Sequence, residues 1–282
     1  VASATARRVA LGLAGAMAVA VLLAGAAPAA MAEERRVEAD YRIYFAGIPL
    51  ANASLTLRMK GGAYGASIKM APTGLGTIVS ASRTRVEAGG RVRGRRVEPA
   101  RYRVSSKDHR REILVEMDMN RGTVSSLHAW PPLKPSPDRV PVSRAHMRGI
   151  VDPLSSGLMP WPSDRRLDGR ACDRTLEIFD GWTRYDVRLS HRRTERVAIG
   201  DYEGPAVVCG ARWVPVSGHR PNRDAVKYLQ ANRGLEVMLV PIPEEDVLIP
   251  AGVEIETRNG HLSIRTTSLE IRPTRLARAE RD

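Results

Sequence analysis

Period-two alternation is the feature that most narrows what this chain can fold into. Val37, Ala39, Tyr41, Ile43 and Phe45 alternate with Glu38, Asp40, Arg42 and Tyr44. Ala51, Ala53, Leu55, Leu57 and Met59 alternate with Asn52, Ser54, Thr56, Arg58 and Lys60, and Tyr64, Ala66, Ile68 and Met70 carry the pattern on. Successive side chains of a strand point to opposite faces, so each run buries one face and wets the other. Turns at Gly47-Ile48-Pro49 and Gly61-Gly62 join the first three runs into an antiparallel meander. Further strands are predicted over 78–87 (ended by Gly89-Gly90), 100–105 and 110–119, with a turn at Asn120-Arg121-Gly122. Late in the chain, Leu235, Val237 and Leu239 resume the alternation. Val253 and Ile255, a turn at Asn259-Gly260, then Leu262 and Ile264 form a hairpin.

The middle of this series, from Cys172 to Cys209, holds both cysteines of the chain. Cys172, Leu176 and Ile178 fall on one face, with Arg174 as an interruption. Asp180-Gly181 reads as a two-residue hairpin turn with positive φ at both positions. On the return strand Tyr185, Val187 and Leu189 oppose Arg184, Asp186 and Arg188. Val207, Cys209, Ala211 and Trp213 then share a face, which points Cys209 toward the core.

Ahead of the strands, Arg7-Arg8, the apolar run 9–23 and the small-residue site Ala30-Met31-Ala32 have the layout of a cleaved signal peptide. The expected mature chain starts near Glu33 in an oxidising compartment, the periplasm, where Cys172 and Cys209 are expected to pair. The alternatives are two unpaired buried thiols, or a metal site that lacks any close Cys or His companion. An uncleaved anchor is disfavoured by the short apolar run, and no cysteine follows that run to carry a lipid. The general secretory and twin-arginine routes both remain open.

The rhythm breaks over 130–162. Prolines 131, 132, 135, 137 and 141 cannot sit in a central strand. Asp152-Pro153 then reads as an N-cap with proline at the first helical position, opening a short helix to about Leu158 that plugs the end of a curved sheet. The stretch 221–230 fits either a short helix or a loop. The strands on both sides of the break are alike, so residues 33–273 are expected to form one β domain, followed by a basic tail, 274–282, expected to be disordered.

The formal charge is +13; Arg7 and Arg8 of the leader carry two of these, leaving +11 on the rest. Arginine outnumbers lysine 39 to 5, a bias that a GC-rich genome also produces. Export and the scatter of the arginines over many strands argue against nucleic acid. An anionic membrane surface is a better electrostatic partner than nucleic acid, but a generic solvated surface is the preferred explanation of the charge.

No motif for catalysis stands out. The histidines at 109, 128, 146, 191, 219 and 261 lie in no His-Glu-x-x-His or His-x-His spacing, and neither a phosphate loop nor Gly-x-Ser-x-Gly occurs. Asp108-His109 and Ser217-Gly218-His219 imitate parts of a triad but read as turn or strand-edge residues. Asp173, Asp180 and Asp186 make a poor acid–base group, because turn chemistry accounts for Asp180 and Asp186 sits on a polar face. Asn52-Ala53-Ser54 reads as ordinary strand. No catalytic, cofactor-binding or metal-ligating residues are therefore assigned.

Several landmarks resemble the exported bacterial family known as domain of unknown function 3108: Tyr41 to Leu55 with Ala46-Gly47-Ile48-Pro49 at its turn, Gly74-Leu75, Asp152-Pro153-Leu154, Phe179-Asp180-Gly181, Tyr185-Asp186, and Gly204 ahead of Cys209. The cysteines flanking the Asp-Gly turn are also similar to alphaproteobacterial envelope-integrity proteins with a spiral β-sheet and one disulfide. Both resemblances imply periplasmic residence, a curved antiparallel sheet and a role in the cell envelope, and neither supplies catalytic residues.

The resulting expectation is an all-β fold, a highly curved antiparallel sheet or open barrel-like spiral of about a dozen strands with one short helix. Its expected role is non-enzymatic support of envelope integrity by binding a lipid, lipoprotein or protein partner, with no cofactor. The alternatives are a purely structural interaction module and an envelope-modifying hydrolase.

Overall fold

The computed structural model describes residues 33–79, 81–108 and 112–274. The leader, the basic tail from 275 and His109 lie outside the described residues. The fold is all-β. Strands β1 (Glu34–Phe45), β2 (Ile48–Lys60), β3 (Ala63–Pro72), β4 (Arg83–Arg93), β5 (Arg96–Lys107), β6 (Glu112–Asn120) and β7 (Thr123–Trp130) form one continuous meander. The two-residue strand β8 (Met159–Pro160) follows, then β9 (Thr175–Phe179), β10 (Arg184–Ile199), β11 (Tyr202–Ser217), β12 (Leu235–Ile242), β13 (Val247–Thr257) and β14 (Gly260–Thr274). All join one antiparallel sheet in the order β7-β6-β5-β4-β3-β2-β1-β14-β13-β12-β11-β10-β9, with β8 paired to β13. The register of β1 against β14, from Glu34 opposite Thr274 to Phe45 opposite Leu262, joins the first and last of these strands in mid-sheet.

Turn chemistry explains the tight connections. Phe45 pairs with Ile48, Lys60 with Ala63 and Asn120 with Thr123. The two residues between each pair, Ala46-Gly47, Gly61-Gly62 and Arg121-Gly122, all have positive φ. That geometry matches the twist of the flanking strands. Ile48 and Pro49 are therefore already strand.

Three turns differ from expectation. Gly89-Gly90 does not end a strand; it is a bulge inside β4, and the chain turns later, at Gly94-Arg95. A Cβ on Gly90 would lie 2.3 Å from the Glu98 carbonyl oxygen, so glycine there serves close strand approach. Phe179 pairs with Arg184, which leaves four residues, not two, at Asp180-Gly181. The Asp180 carboxylate accepts from the Trp182 and Thr183 backbone N–H groups at 2.8 and 2.7 Å, and a side-chain turn of this kind displaces the two-residue type. Thr257 pairs with Gly260, so the last hairpin turns on Arg258-Asn259.

The helices also differ. The Asp152 segment forms only a 3-10 turn over Ser155–Gly157, while the best-formed helix is α2 (Asp224–Ala231), in the stretch that fitted helix or loop equally. A four-residue turn of helix, α1 (Gly76–Val79), occupies the start of the strand predicted from 78.

The sheet curls until its concave face meets itself. Val37, Leu57, Met59 and Leu269 from the middle of the sheet pack with Val240, Ile242, Val247 and Ile249 from β12 and β13. Adjacent residues of those strands, Leu239 and Leu248, and Val207 and Cys209 of β11, point the other way into a second core. That outer face is covered by Met159, Trp161, Leu167, Ala171 and Cys172 of the segment between β7 and β9. Burial on both faces is why this part of β11 reads as an apolar run, Ala206-Val207-Val208-Cys209, and not as an alternation. A third core gathers Tyr102, Val115, Met117 and Met119 around Ile150 and Phe179.

The sheet does not close. Its end strands β7 and β9 are bridged by the intervening segment: Thr123 pairs with Arg148, and Val151 pairs in parallel with Ile178. Backbone bonds from Ile150 N–H to Gly122 O (3.0 Å) and from Val151 N–H to Glu177 O (2.8 Å) fasten this bridge on both sides. Across the same gap the β9–β10 turn reaches β6, where a Cβ on Gly181 would stand 2.6 Å from Val115 Cγ1.

Candidate functional site

Where the sheet fails to close, it leaves a cavity of about 600 Å³. One side comes from the β4–β5 and β6–β7 turns (Arg95, Arg96, Arg121, Gly122), the other from the start of β9 (Thr175, Leu176, Glu177). The bridging segment adds Gly149, Ile150 and Val151, the 3-10 turn adds Ser155 and Ser156, and Asp173-Arg174 complete the lining. This volume is that of an ordinary small-molecule site, which typically spans roughly 300–1,000 Å³.

Ser155 of the lining belongs to a buried polar group behind the cavity wall. Asp152 and Ser155 are fully buried. Asp152 Oδ1 accepts from the Leu154 and Ser155 backbone N–H groups at 3.0 and 2.8 Å, satisfying the donors at the start of the turn. Its Oδ2 has no partner within the protein. Burial lifts this carboxyl to about 6, overcoming the hydrogen bonds that favour its ionised form. The Tyr64 hydroxyl reaches from β3 to within 2.7 Å of Ser155 Oγ. Burial raises the Tyr64 and Tyr102 phenols, so both stay neutral donors at physiological pH.

The walls are cationic. The Arg174 guanidinium donates through Nη2 to the Pro160 carbonyl at 3.2 Å, while its buried Nε has no partner. Burial and the neighbouring Arg95 charge both depress its basicity. Of the lining carboxylates, Glu98 lies 3.5 Å from Arg93 and Glu177 lies 3.6 Å from Arg184. Among the described residues no ion pair engages Arg95, Arg121 or Arg174.

Cys172 and Cys209 form a disulfide, with Cα atoms 5.5 Å apart and neither residue accessible. The bond does not join two strands. Cys172 ends a 3-10 turn, Gly169–Cys172, on the covering segment, so the bridge pins that segment to the outer face of β11. Arg174, two residues on, is thereby fixed in the cavity wall.

The remaining sequence candidates lie elsewhere. Asp180 caps its own turn and Asp186 pairs with Arg184 at 2.5 Å, so only Asp173 of the three aspartates lines the cavity. Asp108 accepts a hydrogen bond from Ser82 at 2.8 Å. The loop after β11 is pinned by Gly218 N–H to Val140 O (2.8 Å) and Val140 N–H to His219 O (3.0 Å), which makes Ser217-Gly218-His219 a docking point for the proline-rich connection. Burial lowers His219, and its ring meets Trp213 edge-on at 6.4 Å. In β2, Ser54 of the Asn-Ala-Ser triplet donates to Asp40 at 2.6 Å. Among the described residues no cluster of His, Cys, Asp and Glu is placed to hold a metal.

The alternation did not single out Arg95, Arg121 or Ser155, and it placed Tyr64 on an apolar face without marking the role of its hydroxyl. Arg174 did leave a signal, as a charge at an inward position of an otherwise apolar face. The family model described as "Protein of unknown function (DUF3108)" matches residues 40–267. No curated protein matches the chain. Among solved structures, the chain is similar to a "Beta-barrel-like Protein of Domain of Unknown Function DUF1849 from Brucella abortus". The two are 9% identical with a TM-score of 0.46, covering 86% of this chain and 98% of that one.

Proposed function

This chain belongs to the DUF3108 family of proteins of unknown function, and on that premise we propose that it is a non-enzymatic, exported envelope protein that binds a lipid, or the acyl chain of a lipoprotein, in the seam cavity. The observation that carries this reading is the cavity itself, about 600 Å³ between two ends of a sheet that curls without closing. Its wall sets the apolar Val97, Ile150, Leu158 and Leu176 among a larger set of charged and hydroxyl groups, an amphiphilic lining that suits a ligand with both an apolar and a polar part. The leader Arg7 to Ala32 supports export, with cleavage near Ala32, and a cystine suits the periplasm. The net charge of +11 beyond the leader favours approach to anionic lipid, since a basic residue near such a surface contributes about 1 kcal/mol.

Binding is favoured over hydrolysis. The buried hydroxyl of the cavity lining, Ser155, shares its hydrogen bond with Tyr64, and none of the described histidines lines the cavity to act as its base. The test is titration of a fluorescent fatty acid into the mature protein and into Thr175→Trp, which fills the cavity from its exposed side. Saturable single-site binding that the variant abolishes is expected. Binding that the variant leaves unchanged refutes the site.

A further inference from the structure

Four guanidinium groups of the cavity wall, those of Arg95, Arg96, Arg121 and Arg174, are engaged by no ion pair among the described residues. Arg174 is the telling one. Its Nε is buried and unbonded, and only Nη2 is satisfied, by the Pro160 carbonyl. A buried donor without an acceptor costs roughly 1–3 kcal/mol, more when charged. Arginine is also the side chain whose planar fork suits carboxylate and phosphate. Nothing else in the lining supplies the missing acceptor: Glu98 and Glu177 are held by Arg93 and Arg184, and the exposed Asp173 shares the lining with Arg95, Arg96, Arg121 and Arg174 but makes no ion pair with them. The position is also costly to keep, because burial and Arg95 both act against the charge on Arg174.

We propose that the seam cavity contains an anion subsite, in which Arg174, with Arg95 and Arg121 in the same lining, receives the phosphate or carboxylate head of an amphiphile whose apolar part lies against Val97, Ile150, Leu158 and Leu176. The inference rests on the lipid-binding reading above and adds the charge of the ligand to it. An anion in this lining relieves the repulsion between Arg174 and Arg95 and offsets the burial that acts against the Arg174 charge. The disulfide gives the subsite its rigidity. Cys172 is anchored on β11, the Arg174 N–H donates to the Cys172 carbonyl at 2.9 Å, and the Arg174 carbonyl accepts from Leu189 N–H at 2.9 Å.

The test is isothermal titration of the oxidised mature protein with three probes: dihexanoyl phosphatidic acid, dihexanoylglycerol and inorganic phosphate. The phosphatidic acid is expected to bind at least tenfold more tightly than either of the others, with affinity falling as salt rises. Arg174→Met is expected to lose tenfold or more for the phosphatidic acid, about 1.4 kcal/mol, and to leave dihexanoylglycerol unaffected. Arg95→Met, on an exposed side chain that the fold does not use, is expected to lose severalfold; it keeps the test valid if the Arg174 variant fails to fold. Equal affinity for phosphatidic acid and dihexanoylglycerol, or unchanged affinity in both variants, overturns the subsite while the lipid-binding reading stands. Phosphate binding as tightly as the phosphatidic acid reduces the site to one for free anions and overturns the amphiphile. No binding of either lipid overturns both readings.

Discussion

Removing the disulfide should cost more than its distance from the chain termini suggests, because it holds a cover in place. Cys172 and Cys209 are 37 residues apart in sequence. Closing a loop of that length removes unfolded-state entropy equivalent to about 4 kcal/mol at 25 °C. Geometry gives no reason to discount this, since the 5.5 Å Cα separation is near the centre of the range natural bridges adopt. Cys172→Ala, Cys209→Ala and the double variant should therefore each lose about 4 kcal/mol in urea unfolding, and the double variant should lose no more than either single one. Without the bond, Trp161, Leu167 and Ala171 are held over Val207, Leu239 and Leu248 by packing, by the β8–β13 pairing and by the Trp161 N–H bond to the Asp246 carbonyl at 2.7 Å, with no covalent tie. Trypsin should then cut at Arg165-Arg166 faster in the variants than in the native protein, on the way to global unfolding. A loss below about 1 kcal/mol, or a double variant that loses the sum of the two, would refute the reasoning. So would unchanged proteolysis.

Two further perturbations address other parts of the molecule. The Asp152 carboxyl is raised from 3.8 to about 6 in the folded protein. The native state therefore keeps a proton that the unfolded chain has released, and this contribution is fully present below about pH 4 and lost as pH rises to about 6. The shift corresponds to about 3 kcal/mol, so Asp152→Asn should flatten the pH dependence of the urea midpoint across that window; an unaltered slope would place the titration elsewhere. Gly181→Ala would set a Cβ 2.6 Å from Val115 Cγ1 at a residue with φ of +101°, so a loss of about 1–3 kcal/mol in thermal unfolding is expected, and a neutral result would mean the two ends of the sheet do not meet there.

Much of the strand content was legible because half-buried strands advertise themselves. Leu55, Leu57 and Met59 are buried while Ser54, Arg58 and Lys60 are not, as period two demands. The alternation also placed Cys209 on a buried face, although that face is the outer one, covered by the segment between β7 and β9. It failed where local side-chain chemistry outcompeted the generic turn, as at Asp180, and where glycine served close approach and not reversal, as at Gly90. It could not show that Cys172 sits on a cover and not on a strand, because a short 3-10 turn has no periodicity to read. The cavity was the least legible part. Its residues come from turns and segments far apart in sequence, and they meet only because the curled sheet stops short of closure at Arg148 and Val151. Arg174 was visible only as a charge in the wrong place.

The central claim is that the seam cavity holds a lipid in the protein's own setting. Native mass spectrometry of the protein purified from its own cells without detergent tests it most directly, alongside Thr175→Trp prepared identically. The account predicts one lipid-sized adduct per chain, anionic in the fragment spectrum, present on the native protein and missing from the variant. A native protein that carries no adduct, or an adduct that persists when the cavity is filled, would contradict it.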